Sequence, residues 1–464
     1  MERMVVVGGG IVGSLLAIHL ARRGHEVEVW ERHSATGAEG ARKRPSVNIT
    51  LCERGLRGLD TVGLREKILA LTVPAPGRRV HSVDGEIAYQ PYGNSGEAIY
   101  SVSRATLSEA LMNLARAEPG VRFHFNQKCV RLDLREGVLH FQHASSGQVS
   151  EVRADRIFGA DGAFSTIRTR LQKTDQFNYS QQYWTRAYVS LKIPAGADGA
   201  PALEGSGLHV WPRGNCVLIG FPNTDGSIMC SLMLPLKGED SFESIVSPPD
   251  VVSFFRRTFP DVADVIPSLA EQFFAYSPNS MLTVRCSPWV HGDRVLLIGD
   301  AAHAVLPSYG QGANAAFEDC RVLDECMARH GSDWARVFTA FEARRKPSMD
   351  AMADLCIVHF EELFDLVGKP GFLKRREIER RIHELYPELY RPLYSMIAFT
   401  CMPYEEALRI DQRQRAVIDR VVQIDDVESR LHGAEVRRLL EELNAPPAPR
   451  AGKPRTGYAA ARQA

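Results

Sequence analysis

The sequence predicts an α/β fold: a β-α-β unit, a mostly antiparallel sheet inserted further along, and a helical C-terminal part. Three observations predict it. A short β-branched run at residues 4 to 8 enters "GGGIVG" and then a stretch with helical apolar spacing from 11 to 23. From 183 to 235 the pattern is strongly β, with "PRGN" and "NTDG" as turn signals between "LHVW", "CVLIGF" and "IMCSLMLP". After Gly312 the segments are long and helical, with Pro347 expected to kink one of them.

Bulk properties narrow the function. At 464 residues the chain is long for one core and has material to enclose a cofactor-sized cavity. Lys plus Arg and Asp plus Glu each number 56, so nothing recommends a nucleic-acid partner, whose phosphates call for a basic surface. Nine scattered cysteines without a CxxC suggest neither a disulfide framework nor a metal site, and read as buried thiols in a reducing compartment. The apolar N-terminal run is broken by Gly8, Gly9 and Gly10, so it does not read as a signal peptide, and no later segment is apolar for the length a bilayer needs. A cytoplasmic chain without a membrane anchor, monomer or homodimer, is expected. The Pro-, Ala- and Arg-rich tail from 445 reads as disordered.

In order along the chain, the strand at 4 to 8, the helix and the alternating "EVEVWE" complete the β-α-β unit. Gly8, Gly10 and Gly13 stand in G-x-G-x-x-G register at the helix mouth, where backbone N–H groups and the helix dipole hold a pyrophosphate and Gly13 permits close helix–strand packing. Glu31 ends the second strand, 18 residues after Gly13, where a carboxylate takes the ribose hydroxyls of an adenosine. This Rossmann-like unit alone leaves NAD and FAD open. Between 134 and 163 the chain reads as strand, "SSG" turn and strand, then "GADGAFSTIR", which sets Asp161 and Gly162 after a strand and ends in Ser165 and Arg168. "RVLLIGDAAHAVLPSYGQGANAAFED" puts Asp300 at a strand end and opens a helix through Gly310, Gly312 and Asn314. A carboxylate there can bond ribityl hydroxyls, and a glycine-rich helix N-terminus stabilises the partial negative charge of a reduced flavin.

These residues resemble the single-component FAD-dependent aromatic hydroxylases, whose three fingerprints (G-x-G-x-x-G, D-G and G-D) occur here in order. The likeness sharpens to the kynurenine 3-monooxygenase family on "GARKRPSVNITLCERGLRGLDTVGL", "QPYG", "SVSRATLSEAL", "HVWPRG", "FPNTDGS" and "LYSMIAFTCMPY", over roughly residues 1 to 435. The resemblance implies FAD as cofactor and NADPH as co-substrate, the D-G segment serving both, with no second Rossmann domain. It implies cofactor contacts from Arg104 and, with the glycines and carboxylates above, from Val12, Arg32, Cys129, Gly312, Ala313 and Asn314. It also implies a substrate carboxylate gripped by Arg78, Tyr92 and Tyr394, with Phe221 and Met233 lining the same side; an arginine fork with two tyrosine hydroxyls is sound chemistry for that task. Implied domain segments are FAD-binding at 1–73, 101–176 and 286–330, substrate-binding at 74–100 and 177–285, helical at 331–444, and the tail at 445–464.

The chain departs from the family's "PFHGQGMN" with "PSYGQGAN", so that Ser308, Tyr309 and Ala313 replace Phe, His and Met. His359 falls where an Asn usually meets the substrate's amino-acid end, and Met233 where an aromatic is usual. Two substrate readings follow: L-kynurenine or a close aryl amino acid, or a bulkier aromatic of secondary metabolism. A halogenase is disfavoured because no W-x-W-x-I-P occurs, and a non-catalytic FAD-binding escort-type protein by the intact fingerprints. The implied chemistry is flavin-borne: NADPH reduces FAD, dioxygen gives a C4a-hydroperoxyflavin, and a small electron-rich aromatic is hydroxylated ortho to its amino group. No acid/base residue is required, with Tyr309 as a candidate polar contact near the reacting carbon; His303 reads as a structural part of its turn.

Overall fold

A computed structural model describes residues 2–35, 46–93, 96–196, 199–203, 205–365 and 370–444. Residues 40–45 of "GARKRPSV" and the tail from 445 lie outside them. The central sheet has six strands in the spatial order Val290–His291, Val295–Leu297, Arg156–Gly159, Met4–Val7, Val27–Trp30, Val121–His124. Only the Val290–His291 edge pairs antiparallel. Met4, Val5 and Val6 are wholly buried, which is why this strand reads as a continuous apolar run: a parallel sheet is covered on both faces. Helix Ile11–Arg22 follows at once, with Gly10 as its N-cap.

A second sheet of seven strands runs Asn279–Ser287, Asn178–Ile193, Ile228–Pro235, Cys216–Pro222, Leu208–Arg213, Gly77–His81, Ile87–Pro91. Its pairs are antiparallel except Leu208–Arg213 with Gly77–His81, which the chain reaches from two separate stretches. Side chains alternate across a strand. Trp211, Leu218, Cys230, Leu232 and Leu234 therefore share one face and form a core with Val251, Phe254 and Phe255 of helix Pro248–Thr258. Leu208, Phe221, Met229 and Met233 fall on the other face, the one that Arg78 joins through its pairing with Leu208. Two three-stranded sheets complete the β structure.

Helix Gly312–His330 packs against helix Glu53–Asp60 through two glycines: a Cβ on Gly55 would meet Asn314 Oδ1 at 2.3 Å, and one on Gly58 the Phe317 carbonyl at 2.4 Å. Helix Trp334–Asp365 carries Pro347 in its interior. The first compact unit comprises residues 1–374 and 393–409, so the long helix belongs with the two sheets rather than with a separate helical region. The second, 375–392 with the chain from 410, has its own core around Ile378, Ile382, Tyr386, Ile418, Val421 and Leu440. All nine cysteines are free thiols, eight of them buried. No helix among the described residues is long and apolar enough to cross a membrane.

Candidate active site

The glycine turn is built as the spacing required. Gly8 has φ +103°, and a Cβ there would meet the Ala160 carbonyl at 2.5 Å, so the turn lies directly against the D-G segment. A Cβ on Gly13 would sit 1.9 Å from the Gly8 carbonyl, whereas around Gly10 there is nothing within 4 Å. The first intrahelical bond runs from Ser14 N–H to Gly10 O, so the N–H groups of Ile11, Val12 and Gly13 precede the helix ladder and can face an anion. Val12 contacts the third fingerprint: its methyls lie 3.1 and 3.3 Å from where a Gly299 Cβ would be.

Glu31 accepts hydrogen bonds from Gly9 N–H at 2.7 Å and from His33 N–H at 2.9 Å, tying the end of the second strand to the glycine turn. Burial pushes its carboxyl up, but the bonds from His33 and Gly9 outweigh this and hold it below the ordinary value. Arg32 beside it is exposed. Asp161 accepts from Thr166 N–H at 2.7 Å, while its second oxygen is buried with no partner. Burial raises the Asp161 carboxyl. That charge adds to the burial that pushes the nearby Cys129 thiol up to about 12.

Asp300 opens the short helix Asp300–His303 after Gly299 at φ +62°, a conformation that favours glycine. Its side chain is accessible, yet the protein around it pushes its carboxyl up, with His303 and the Arg104 guanidinium acting against that. Next along the chain, the N–H groups of Gly312, Ala313 and Asn314 precede the first intrahelical bond, Ala315 N–H to Gln311 O, and nothing lies within 4 Å of a Cβ on Gly312. The Asn314 amide itself is buried and spent on backbone: it accepts from Cys52 N–H at 2.9 Å and donates to the Thr50 and Gly310 carbonyls at 2.8 Å. What Asn314 can offer a cofactor is therefore its N–H. Arg168, buried under this region, donates to the Ala301 and Ala163 carbonyls at 2.8 and 2.5 Å and so joins the D-G and G-D segments. Two open helix N-termini, the partnerless Asp161 oxygen and the accessible Asp300 carboxylate fit a pyrophosphate, a ribityl chain and a flavin ring edge.

Sequence reading missed a buried charge network behind these turns. Arg54 donates to both Glu318 oxygens at 2.8 Å, Arg345 donates to Glu318 at 2.5 Å and to Asp319 at 2.6 Å, and the Arg54 guanidinium lies 4.0 Å from the Tyr404 ring centre. Tyr404 in turn donates to Gln311 at 2.8 Å. The available signal was the "ED" pair placed on the buried face of an otherwise small and apolar helix.

The residues expected on the substrate side come from seven stretches of chain. Tyr92 and Tyr394 stack with ring centres 5.1 Å apart, Tyr394 and Tyr309 at 6.2 Å, and Tyr309 and His359 at 4.2 Å. Phe221 packs with Tyr92, Tyr394, Cys52 and Leu208 in one apolar cluster. Burial pushes the Tyr92 hydroxyl up to about 12, against the nearby Arg78 charge, and raises Tyr394 well above its ordinary value. Both hydroxyls are thus neutral donors at physiological pH. Arg78 donates its Nε to Gln90 Oε1 at 2.9 Å, and its terminal nitrogens bond no described residue. Ser308 donates to the Cys356 carbonyl at 2.8 Å, so its hydroxyl is committed to the long helix. Met233 is buried on the Phe221 face but further along, opposite Val217 and Tyr188.

Comparison with known proteins agrees with this geometry. Residues 2–203 and 261–355 match the family described as FAD binding domain. Among solved structures, 2-methyl-3-hydroxypyridine-5-carboxylic acid oxygenase superimposes with a TM-score of 0.65 at 24% identity, covering 80% of this chain and 95% of that one. PqsL of Pseudomonas aeruginosa, solved in complex with 2-aminobenzoylacetate, gives 0.65 at 20% identity, covering 80% and 99%. The family match and the relatives that follow make this chain an FAD-dependent aromatic hydroxylase, a flavoprotein monooxygenase of a family that uses FAD and NADPH. Kynurenine 3-monooxygenase of Flavobacterium johnsoniae is 40% identical over 95% of this chain and 98% of its own length, and that of Salinispora tropica 44% identical over 90% and 92%. The chain belongs to the kynurenine 3-monooxygenase family.

Proposed function

We propose that the chain performs the 3-hydroxylation of L-kynurenine or a closely related aryl amino acid. The observation that carries the reading is Arg78, held at its Nε by Gln90 with its terminal nitrogens uncommitted, beside the Tyr92–Tyr394 stack. Such a fork takes a carboxylate bidentately, and neutral tyrosine hydroxyls complete its hydrogen bonds. Bound FAD, reduced by NADPH, supplies the oxygen-transfer chemistry. The protein's residues do the rest: Arg78, Tyr92 and Tyr394 anchor the amino-acid end, and Phe221 and the Tyr309–His359 pair flank the ring. The substrate's own amino group supplies the electron push, so no basic side chain is needed. We further propose a division into FAD-binding segments 1–73, 101–176 and 286–330, substrate-binding segments 74–100 and 177–285, a helical part 331–444 and a tail 445–464; what supports the first five is how their strands are shared between the six- and seven-stranded sheets.

A second reading, a bulkier aromatic of secondary metabolism, is favoured by the small residues at Ser308 and Ala313 and by the commitment of the Ser308 hydroxyl to Cys356. Both are tested by mixing the yellow protein with NADPH and a panel of aryl amino acids and larger arylamines. The first reading expects substrate-stimulated NADPH oxidation and a hydroxylated product with L-kynurenine. Stimulation confined to larger arylamines supports the second, and oxidation without any hydroxylated product across the panel overturns both.

A further inference from the structure

Buried ion networks are poor stabilisers, because desolvating the charges costs about as much as their pairing returns. The one behind the G-D turn therefore invites a positional explanation. Arg54, Arg345, Glu318 and Asp319 are at most 3% exposed, and the two adjacent acids differ in what they hold. Among the described residues the Glu318 carboxylate bonds arginines alone: Arg54, Arg345 and Arg321. Asp319 accepts from Arg345 Nε at 2.6 Å, but also from Gly299 N–H at 3.2 Å and from His303 Nε2 at 2.7 Å. Gly299 and His303 are the two ends of the turn that presents Asp300. Arg345 in addition donates to the Ala315 carbonyl at 3.1 Å, in the helix whose first N–H groups face the same region.

We infer that Asp319, anchored by Arg345, is a positioning residue for the cofactor: it pins both ends of the Gly299–His303 turn and thereby fixes Asp300 for the ribityl chain of FAD. Glu318 holds the three helices together through Arg54, Arg321 and Arg345 and bonds neither end of the turn. A carboxylate suits the task because it accepts three hydrogen bonds in divergent directions, which neither an amide nor an apolar side chain does. His303 is the second grip, its ring packed 5.0 Å from Trp289 so that it cannot swing away from Asp319.

The test uses the neighbouring acid as its control. FAD affinity of the apoprotein is measured by flavin fluorescence quenching, and apoprotein melting is followed in parallel, for Asp319→Asn and Glu318→Gln. Both variants lose melting temperature, since each breaks a buried pair. The inference expects the FAD dissociation constant to rise roughly tenfold or more in Asp319→Asn, the scale of one lost charge-assisted hydrogen bond, and to stay near wild type in Glu318→Gln. Equal affinity losses in the two would mean that the network is structural only. Should Asp319→Asn fail to fold, His303→Leu removes one grip and keeps the bulk, and His303→Gln restores a donor. Weakened FAD binding in the first, with recovery in the second, sustains the inference; unchanged binding in His303→Leu overturns it.

Discussion

The cofactor side and the substrate side of this molecule are built from different materials. The first is made of backbone: two helix N-termini with uncommitted N–H groups, glycines where another chain or a ligand approaches, and carboxylates at strand ends. The second is made of side chains from the Gly77–His81 strand, the turn after Ile87–Pro91, the Cys216–Pro222 strand, the Pro307–Tyr309 turn and two helices. A backbone site is sensitive wherever a glycine lies against another chain segment, as at Gly8 and Gly13. A side-chain site can be re-tuned residue by residue, which is how one scaffold serves many ring substrates.

The largest effect expected from this contrast is at Gly13. A Cβ there collides with the Gly8 carbonyl at 1.9 Å, so Gly13→Val should yield no yellow, folded protein. Gly10→Ala meets nothing in the protein within 4 Å and should leave apoprotein melting intact while weakening FAD, read by flavin titration. Normal flavin affinity in Gly10→Ala would break the account of the backbone cradle.

On the other side, Arg78→Ala should keep the flavin spectrum and raise KM for L-kynurenine by about 30- to 100-fold, the loss of roughly 2–3 kcal/mol of charged hydrogen bonding. Equal loss of bound flavin would place Arg78 on the wrong side of the comparison.

Acid should separate the halves. Burial, with the neighbouring His81 and Arg79 charges, pulls His209 down to about 4 from 6.5, on the back of the substrate sheet, where it bonds His81 at 2.9 Å. A depressed histidine is neutral in the folded state, so its contribution is intact above pH ~6.5 and lost as pH falls towards about 4, up to roughly 3 kcal/mol in total. His209→Gln should flatten that stretch of the stability–pH curve in urea unfolding, and an unchanged slope would exclude His209 as its source.

The smallest effect belongs to the Pro307–Tyr309 turn. Ser308→Phe with Ala313→Met should shift preference among aryl amines towards kynurenine by a few-fold, about 1 kcal/mol, read as a ratio of kcat/KM values. No shift would mean that these positions do not set the ring's space.

What could be read from the sequence follows the same divide. Gly8, Gly13 and Asp300 announce themselves because a turn, a close approach or a strand end admits few residue types, and the seven-stranded sheet because its apolar runs are separated by the turn signals "PRGN" and "NTDG". The Arg54–Glu318–Arg345–Asp319 network stayed hidden because its members are separated by as much as 291 positions and charged residues read by default as surface. Tyr92 and Tyr394 were reached only through family likeness, since nothing local in "QPYG" or "LYSM" distinguishes a ligand contact from a core tyrosine, and their stacking with each other and with Tyr309 emerges only in the fold.

The most direct test of the carboxylate grip is a cycle pairing Arg78→Ala with removal of the substrate's carboxylate, comparing kcat/KM for L-kynurenine and for the decarboxylated amine of the same skeleton. Wild-type protein should lose as much on losing the carboxylate as on losing Arg78, and the Arg78→Ala variant should scarcely distinguish the two substrates. Full, additive losses in the doubly altered pair would show that the carboxylate is held elsewhere.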